Sequence, residues 1–187
     1  MNAIAWHPKR GFHDPYHGQA DIAKKTIRCV GKASERMQED ALRILRALRF
    51  HCTLHFTIEE ETVQAIRTHA HLLSYISRER IREEFNRILL QDYPDTLQLL
   101  KEMRVLDTIA AGYTKLMNKE QNNPWHIYDV FTHTDVALNH TKGMALEGKL
   151  AIISMTRESR PVKLWMQTAS PIITDMRRNL LSLPAAG

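Results

Sequence analysis

The stretch EDALRILRALRF, residues 39–50, decides the class of fold. Ala41, Leu42, Leu45 and Leu48 recur at three- and four-residue spacing, and Met37 extends the series upstream. Arg43, Arg46 and Arg49 fall between them. That pattern predicts an amphipathic helix running from about Ser34, a residue able to cap it. Downstream the pattern repeats in kind. Thr57 is the expected cap of a second helix, with Glu59, Glu60 and Glu61 where the helix dipole favours acids. Ser77 opens a third, SRERIREEFNRILL, with Ile81, Phe85, Ile88 and Leu89 on one stripe and Glu83 four residues before Arg87. Pro94 suits the first turn of a fourth, with Leu97, Leu100 and Met103 inward. After the polar NKEQNNP linker, residues 125–140 form a fifth helical pattern, and past about Ser154 the periodicity fails. Upstream, Asn2 to Trp6 reads as a short strand, His7–Gly11 as a turn, and Phe12–Gly18 as a strand end with a second turn. The first thirty residues therefore read as the edge of a sheet whose remainder is absent. No internal repeat is evident.

The composition fits that outline. The 187 residues contain seven glycines and seven prolines, below the roughly 12 % average for the pair. With 43% hydrophobic and 25% charged residues, collagen-like and low-complexity classes are excluded. No run approaches the roughly 18 apolar residues of a membrane span, so no membrane partner is expected, and MNAIAWHPKRG has no apolar core of signal-peptide length. Cys29 and Cys52 cannot form a disulfide framework or a cysteine zinc site, which makes a cytoplasmic location the expectation. A formal charge of +5 suits a polyanionic partner without naming one.

Three constellations could carry chemistry. Asp40 and Arg43, three apart on a helix, would set a carboxylate acceptor beside a guanidinium fork. Cytosine and adenine both present an amino donor next to a ring-nitrogen acceptor, so such a pair reads C and A alike. It rejects U and G, which leave its polar groups unpaired. The same spacing equally fits a surface salt bridge. Arg46 and Arg49 continue the series as a spiral able to reach a triphosphate, or are ordinary surface arginines. His126, His133 and His140 repeat every seven residues with Asp129 and Asp135 nearby. Two turns is too far for adjacent metal ligands from one helix, so a second element would have to complete any site. The sequence contains no Gly-rich phosphate loop, no Asp-x-Asp pair of the two-metal kind, and no GxSxG or Cys-His nucleophile signature.

EDALRILRALRF, taken with its flanks, resembles the bacterial CCA-adding tRNA nucleotidyltransferases and the related poly(A) polymerases. NAIAWHP followed by DPYHGQADIAKKTIRCVG resembles the family's NAxAxxP…DPFGGxxDLxxKxIRxVG. ISRERIREEFNRILL resembles its SxERIxxExxKLL helix, and NNPWHIYDVFTHT resembles the linker into an HD-type domain. The resemblance runs in unbroken order over about residues 2 to 153. It implies that Asp40 and Arg43 are the protein template for CTP and ATP, that Glu39 orients them, and that Arg46 and Arg49 face the nucleotide. Asn2 matches the Asn of the family's RRDxTxNA strand, and His133 the first histidine of the HD metal site.

The resemblance implies a mainly α fold: a small β remnant of the nucleotidyltransferase head, a helical neck and body bundle, and the first helix of an HD-type domain. The corresponding segments are 1–30, 31–110, and 111–153 for linker and HD start. It also implies an enzyme that adds CMP and AMP to the tRNA 3′ end, with Mg²⁺ on two carboxylates that this sequence lacks. No catalytic residue, metal or cofactor is therefore expected in this chain, His133 is an orphan ligand, and the chain alone is expected to be inactive. A non-catalytic RNA-binding helical module and a poly(A) polymerase remnant are the alternatives. An HD-type phosphohydrolase fits poorly, because the family's later His-Asp pair is absent. Residues 154–187 are expected to be an out-of-frame tail. Back-translated and read one nucleotide earlier, residues 154–160 permit His-Asp-Thr-Gly-Lys-Pro and residues 171–178 permit His-Tyr-Tyr-Gly-His-Ala-Glu, two HD-domain strings in family order.

Overall fold

Asp40 divides what the spacing predicts as one helix into two. The structure, a computed structural model, describes residues 4–110 and 130–155. Helix α2 covers Ala33–Glu39 and α3 covers Leu42–Leu54. Between them Asp40 is extended at φ −150 and ψ 99. Its Oδ1 accepts from Leu42 N at 3.1 Å, and its carbonyl accepts from Arg43 N at 3.1 Å. An extended Asp whose carboxylate accepts from the amide two residues on is the preferred way to start a helix, so Asp40 serves as the start of α3. Periodicity misses the break because Met37, Ala41, Leu45 and Leu48 are all buried on one continuous face. Ser34 caps nothing here. Its hydroxyl bonds His69 Nε2 at 2.8 Å, tying α2 to the end of a later helix.

The described residues are mainly helical, with two small two-stranded sheets. Strands β1 (Ala5–His7) and β2 (Gly11–His13) form an antiparallel hairpin with Trp6 opposite Phe12, both exposed. Gly11 sits at φ +72, a conformation that favours glycine. Asp14 then accepts from Gly18 N at 2.7 Å and Gln19 N at 2.8 Å, starting α1 (Gly18–Ala23). Strand β3 (Thr26–Ile27) pairs in parallel with β4 (Thr57–Ile58), which fastens the N-terminal part to the helical body. Thr57 is thus a strand residue. The cap of α4 (Glu60–His69) is Glu59, whose side chain accepts from Thr62 N at 3.2 Å.

A 3₁₀ turn, Ala70–Tyr75, leads to α5 (Arg78–Leu89), then α6 (Thr96–Glu102) and α7 (Val105–Ile109). Pro94 precedes the first turn of α6 rather than joining it, since Asp95 is the cap position. Helix α3 packs on α5, α2 on α4, and α7 on the 3₁₀ turn. Ile44, Leu45, Leu48, Ile66, Leu73 and Ile88 are fully buried where these meet.

Helices α8 (Val130–Asn139) and α9 (Leu146–Met155) close the body, burying Phe131 and Leu138 in the core and adding polar contacts. Asp135 accepts from Leu97 N at 3.0 Å and Gln98 N at 3.3 Å, supplying α6 with the cap that Asp95 does not provide. Asn139 and Asp95 exchange two hydrogen bonds of 2.9 and 2.8 Å. The buried Lys149 ammonium bonds the Asp92 carboxylate and both oxygens of Thr141. Residues 154 onward include the end of α9 at Met155, and the expectation for the tail beyond it lies outside the described residues.

Candidate functional site

The break at Asp40 changes the geometry expected of the Asp40–Arg43 pair. The two are not neighbours on one helix surface, because Asp40 lies before the helix that carries Arg43. Each takes its own partners. Asp40 Oδ2 faces Arg80 Nη2 of α5 at 3.4 Å, a long contact from a half-exposed guanidinium to a partly exposed carboxylate. Arg43 donates from Nη1 to the Arg36 carbonyl at 3.0 Å and to Glu39 Oε2 at 2.9 Å. Arg36 donates to the same Glu39 oxygen at 2.6 Å. The Arg43 hydrogen bond, with Arg36 beside it, holds the Glu39 carboxyl below its ordinary range. Glu39 thus restrains the Arg43 guanidinium. Both bonds of Arg43 use one nitrogen, so its fork keeps donors on the others. A carboxylate oxygen likewise accepts more than one bond, which leaves Asp40 Oδ2 with acceptor capacity beside Arg80.

Arg46 and Arg49 converge on Glu84 of α5. Arg49 Nε lies 2.7 Å from Oε2 and Arg46 Nε 3.5 Å from Oε1. Glu84 is the buried member, with its side chain 6% exposed, against 20% for Arg49 and 48% for Arg46. Neither Glu84 nor Arg80 is singled out by the spacing argument, yet the signal for Glu84 is present. It falls three residues after Ile81 and four before Ile88, in the middle of the buried stripe, where a carboxylate needs a cation. The α3–α5 contact therefore carries Asp40–Arg80 at one end and the Arg46–Glu84–Arg49 group further along.

Asn2, His126 and Asp129 lie outside the described residues. His133 and His140 are both exposed, and His140 falls just past the end of α8. Asp135, the acid nearest those histidines in sequence, is buried as the cap of α6. Among the described residues no three His, Cys, Asp or Glu side chains gather as a metal site requires. Burial pushes the Cys52 thiol up to about 12 and raises that of Cys29, so neither is a thiolate near neutral pH. A cavity of about 610 Å³ lies between α1, β3 and α3, lined by Tyr16, Ile22, Cys29, Phe50 and Leu54 among others. None of Glu39, Asp40, Arg43, Arg46 and Arg49 lines it.

Residues 55–116 match a family model described as "Probable RNA and SrmB- binding site of polymerase A". A CCA-adding enzyme of Streptococcus uberis is 48% identical over 90 residues, which is 48% of this chain and 22% of that enzyme. One from Bacillus cereus is 46% identical over 103 residues, 55% of this chain and 25% of the enzyme. The chain thus spans about a quarter of the length of the curated relatives it matches. The crystal structure of the Bacillus stearothermophilus CCA-adding enzyme in complex with CTP matches 98% of this chain and 57% of its own, with a TM-score of 0.55 and 25% identity. A tRNA nucleotidyltransferase complexed with a primer tRNA and an incoming ATP analog shares the fold, at TM-score 0.54 and 22% identity over 93% of this chain and 52% of that one.

Proposed function

We propose that this chain, related over part of its length to the bacterial CCA-adding enzyme and poly(A) polymerase family, is part of a CCA tRNA nucleotidyltransferase whose Asp40 and Arg43 read the base of CTP or ATP. The observation that carries this is the Asp40 turn. It holds a partly exposed carboxylate at the start of α3, the helix that carries the Arg43 fork restrained by Glu39 and the Arg36 carbonyl. The carboxylate accepts from the amino group common to cytosine and adenine, and the fork donates to the adjacent ring nitrogen. A base with a carbonyl and an N–H in those places meets acceptor against acceptor and donor against donor. Arg46 and Arg49 place positive charge on α3 for the triphosphate, Arg46 as the exposed member available to it and Arg49 held against the buried Glu84.

In the complete enzyme the tRNA 3′-hydroxyl forms a bond to the α-phosphorus as the bond to the leaving pyrophosphate breaks. CMP or AMP is thereby added to the RNA. The Mg²⁺ that the family uses would neutralise charge on those phosphates. The residues present here do not fit it, since the sequence has no Asp-x-Asp pair and the described acids cluster in no ligand set. We therefore assign this chain, by itself, base reading and RNA contact, and no transfer. The segments 1–30, 31–110 and 111–153 take the roles of head edge, neck and body, and HD start, with 154–187 out of frame. No described helix is long and apolar enough to cross a membrane. The match of residues 55–116 to an RNA-binding model favours a second reading, a non-catalytic RNA-binding module.

The test joins this chain to the head of a CCA-adding enzyme and supplies tRNA lacking its CCA end. Asp40→Ala and Arg43→Ala should each impair CMP and AMP addition together, by about 1.5–3 kcal/mol for one charge-assisted contact. A normal rate with intact selectivity against UTP and GTP in either variant overturns the base-reading assignment. The unjoined chain should show no incorporation above a no-protein control, and transfer by it refutes that part.

A further inference from the structure

Tyr75 stands in water on a backbone that is held from both sides. It is 83% exposed, the most exposed large hydrophobic among the described residues. Yet it ends the 3₁₀ turn Ala70–Tyr75, in which Leu73 is fully buried, and the following Ile76 packs against the core. Ile76 N donates to the Leu73 carbonyl at 3.1 Å, and Ser74 Oγ donates to the His71 carbonyl at 2.8 Å. The backbone that carries the ring is thus held by ordered neighbours, while the ring contributes little burial of its own. Its surroundings in the chain are polar: Ser74, Ser77, Arg78 and Glu79 are all exposed. A lone aromatic ring in a polar setting lacks the contiguous apolar patch on which a folded protein docks. It matches what a single unpaired nucleobase needs, a flat apolar face with cations nearby for the phosphates.

The position in the fold supplies the direction. Arg78 begins α5 three residues after Tyr75, and two residues further on Arg80 touches Asp40. Five residues span at most about 17 Å of chain, and the first turn of α5 shortens that. We infer that Tyr75 is a stacking platform for an unpaired base of the RNA strand whose 3′ end is presented to Asp40 and Arg43, with Arg78 as its phosphate contact. This rests on the base-reading assignment for the strand's direction, but its own readout is RNA affinity.

The experiment measures fluorescence anisotropy of this chain with three labelled probes: a short single-stranded RNA ending in CC, a blunt RNA duplex, and inorganic polyphosphate. Tyr75→Ala should weaken the single strand about five-fold or more, the loss of one base–aromatic stack, and leave the duplex and polyphosphate unchanged. Tyr75→Phe should keep single-strand affinity. Arg78→Ala should weaken all three probes and flatten the salt dependence. The melting temperature of Tyr75→Ala should match that of the unsubstituted chain, because the ring is exposed. Single-strand affinity within two-fold for Tyr75→Ala, an equal loss on all three probes, a Tyr75→Phe variant as weak as Tyr75→Ala, or no RNA binding by the unsubstituted chain each overturns the inference. Selectivity for C and A over U and G in the joined enzyme reads Asp40 and Arg43 instead. Its loss alongside an intact Tyr75 effect would sink base reading and leave the stacking platform standing.

Discussion

Glu84 is the point at which removing one side chain should tell most about how the α3–α5 contact is built. Its carboxylate is buried, hydrogen-bonded by Arg49 at 2.7 Å and ion-paired with the more exposed Arg46 at 3.5 Å. Removing one partner of a fully buried ion pair costs about 3–5 kcal/mol, because the other charge is left uncompensated. Here the groups left behind are partly wet, so Glu84→Ala falls below that range, at about 2–3 kcal/mol including the lost packing. The arginines should then differ. Arg46→Ala removes a long contact from a half-exposed group and costs at most about 1 kcal/mol. Arg49→Ala leaves the buried carboxylate with only that long contact and costs about 2–3 kcal/mol. Urea unfolding with unchanged slope measures all three, with the cost appearing as a shift of the midpoint. Equal costs for Arg46→Ala and Arg49→Ala, or less than about 1 kcal/mol for Glu84→Ala, would refute the claim that Arg49 and Glu84 form the structural pair while Arg46 remains available to a ligand.

Two carboxylates that tie α8 and α9 to the rest of the body should respond to pH in opposite directions. Burial raises the pKa of Asp135, so the folded state takes up its proton more readily than the unfolded chain. Its contribution to stability should be greatest in acid and decline as pH rises from about 3.9 through the folded value. Asp135→Asn, whose amide oxygen keeps one of the two bonds from Leu97 N and Gln98 N while its NH2 cannot accept the other, should remove that decline in thermal melts and lower stability by the one lost bond. Asp135→Ala should cost about 1 kcal/mol through the lost cap, more in acid than near neutral pH. The hydrogen bond from Lys149 lowers the pKa of Asp92, so its stabilisation is present above about 3.9 and lost as pH falls through the folded value. Asp92→Asn should remove that acid loss, and an unchanged pH profile in either Asn variant would contradict the assignment of its group.

Local pattern determined the longer helices of the body, their inward residues and the hairpin of this protein, and left α1, α7 and α9 unmarked. Three- and four-residue spacing marks Leu45, Leu48, Ile81, Ile88, Leu97 and Leu100, and all are buried. Such spacing reports which side of a helix is apolar, and burial of that side is what holds the helix in place. The turn signals at His7–Gly11 likewise coincide with the antiparallel hairpin. Tertiary structure decided the rest. The break at Asp40 leaves no trace in the apolar series, since α2 and α3 bury one continuous face. It is made by a carboxylate choosing the Leu42 amide, an event with no period. Thr57 reads as a cap by residue type, but its pairing with Thr26 makes it a strand residue, and Glu59 takes the amide. Asp135 sits among histidines in sequence and is claimed by α6, 37 and 38 residues away, because the amides at that helix start need an acceptor. Arg46 and Arg49 look alike on a helical wheel. Only the arrival of Glu84 from α5 separates them, since ion pairs between distant elements depend on where the packing of Ile44, Leu48 and Ile88 brings those elements together.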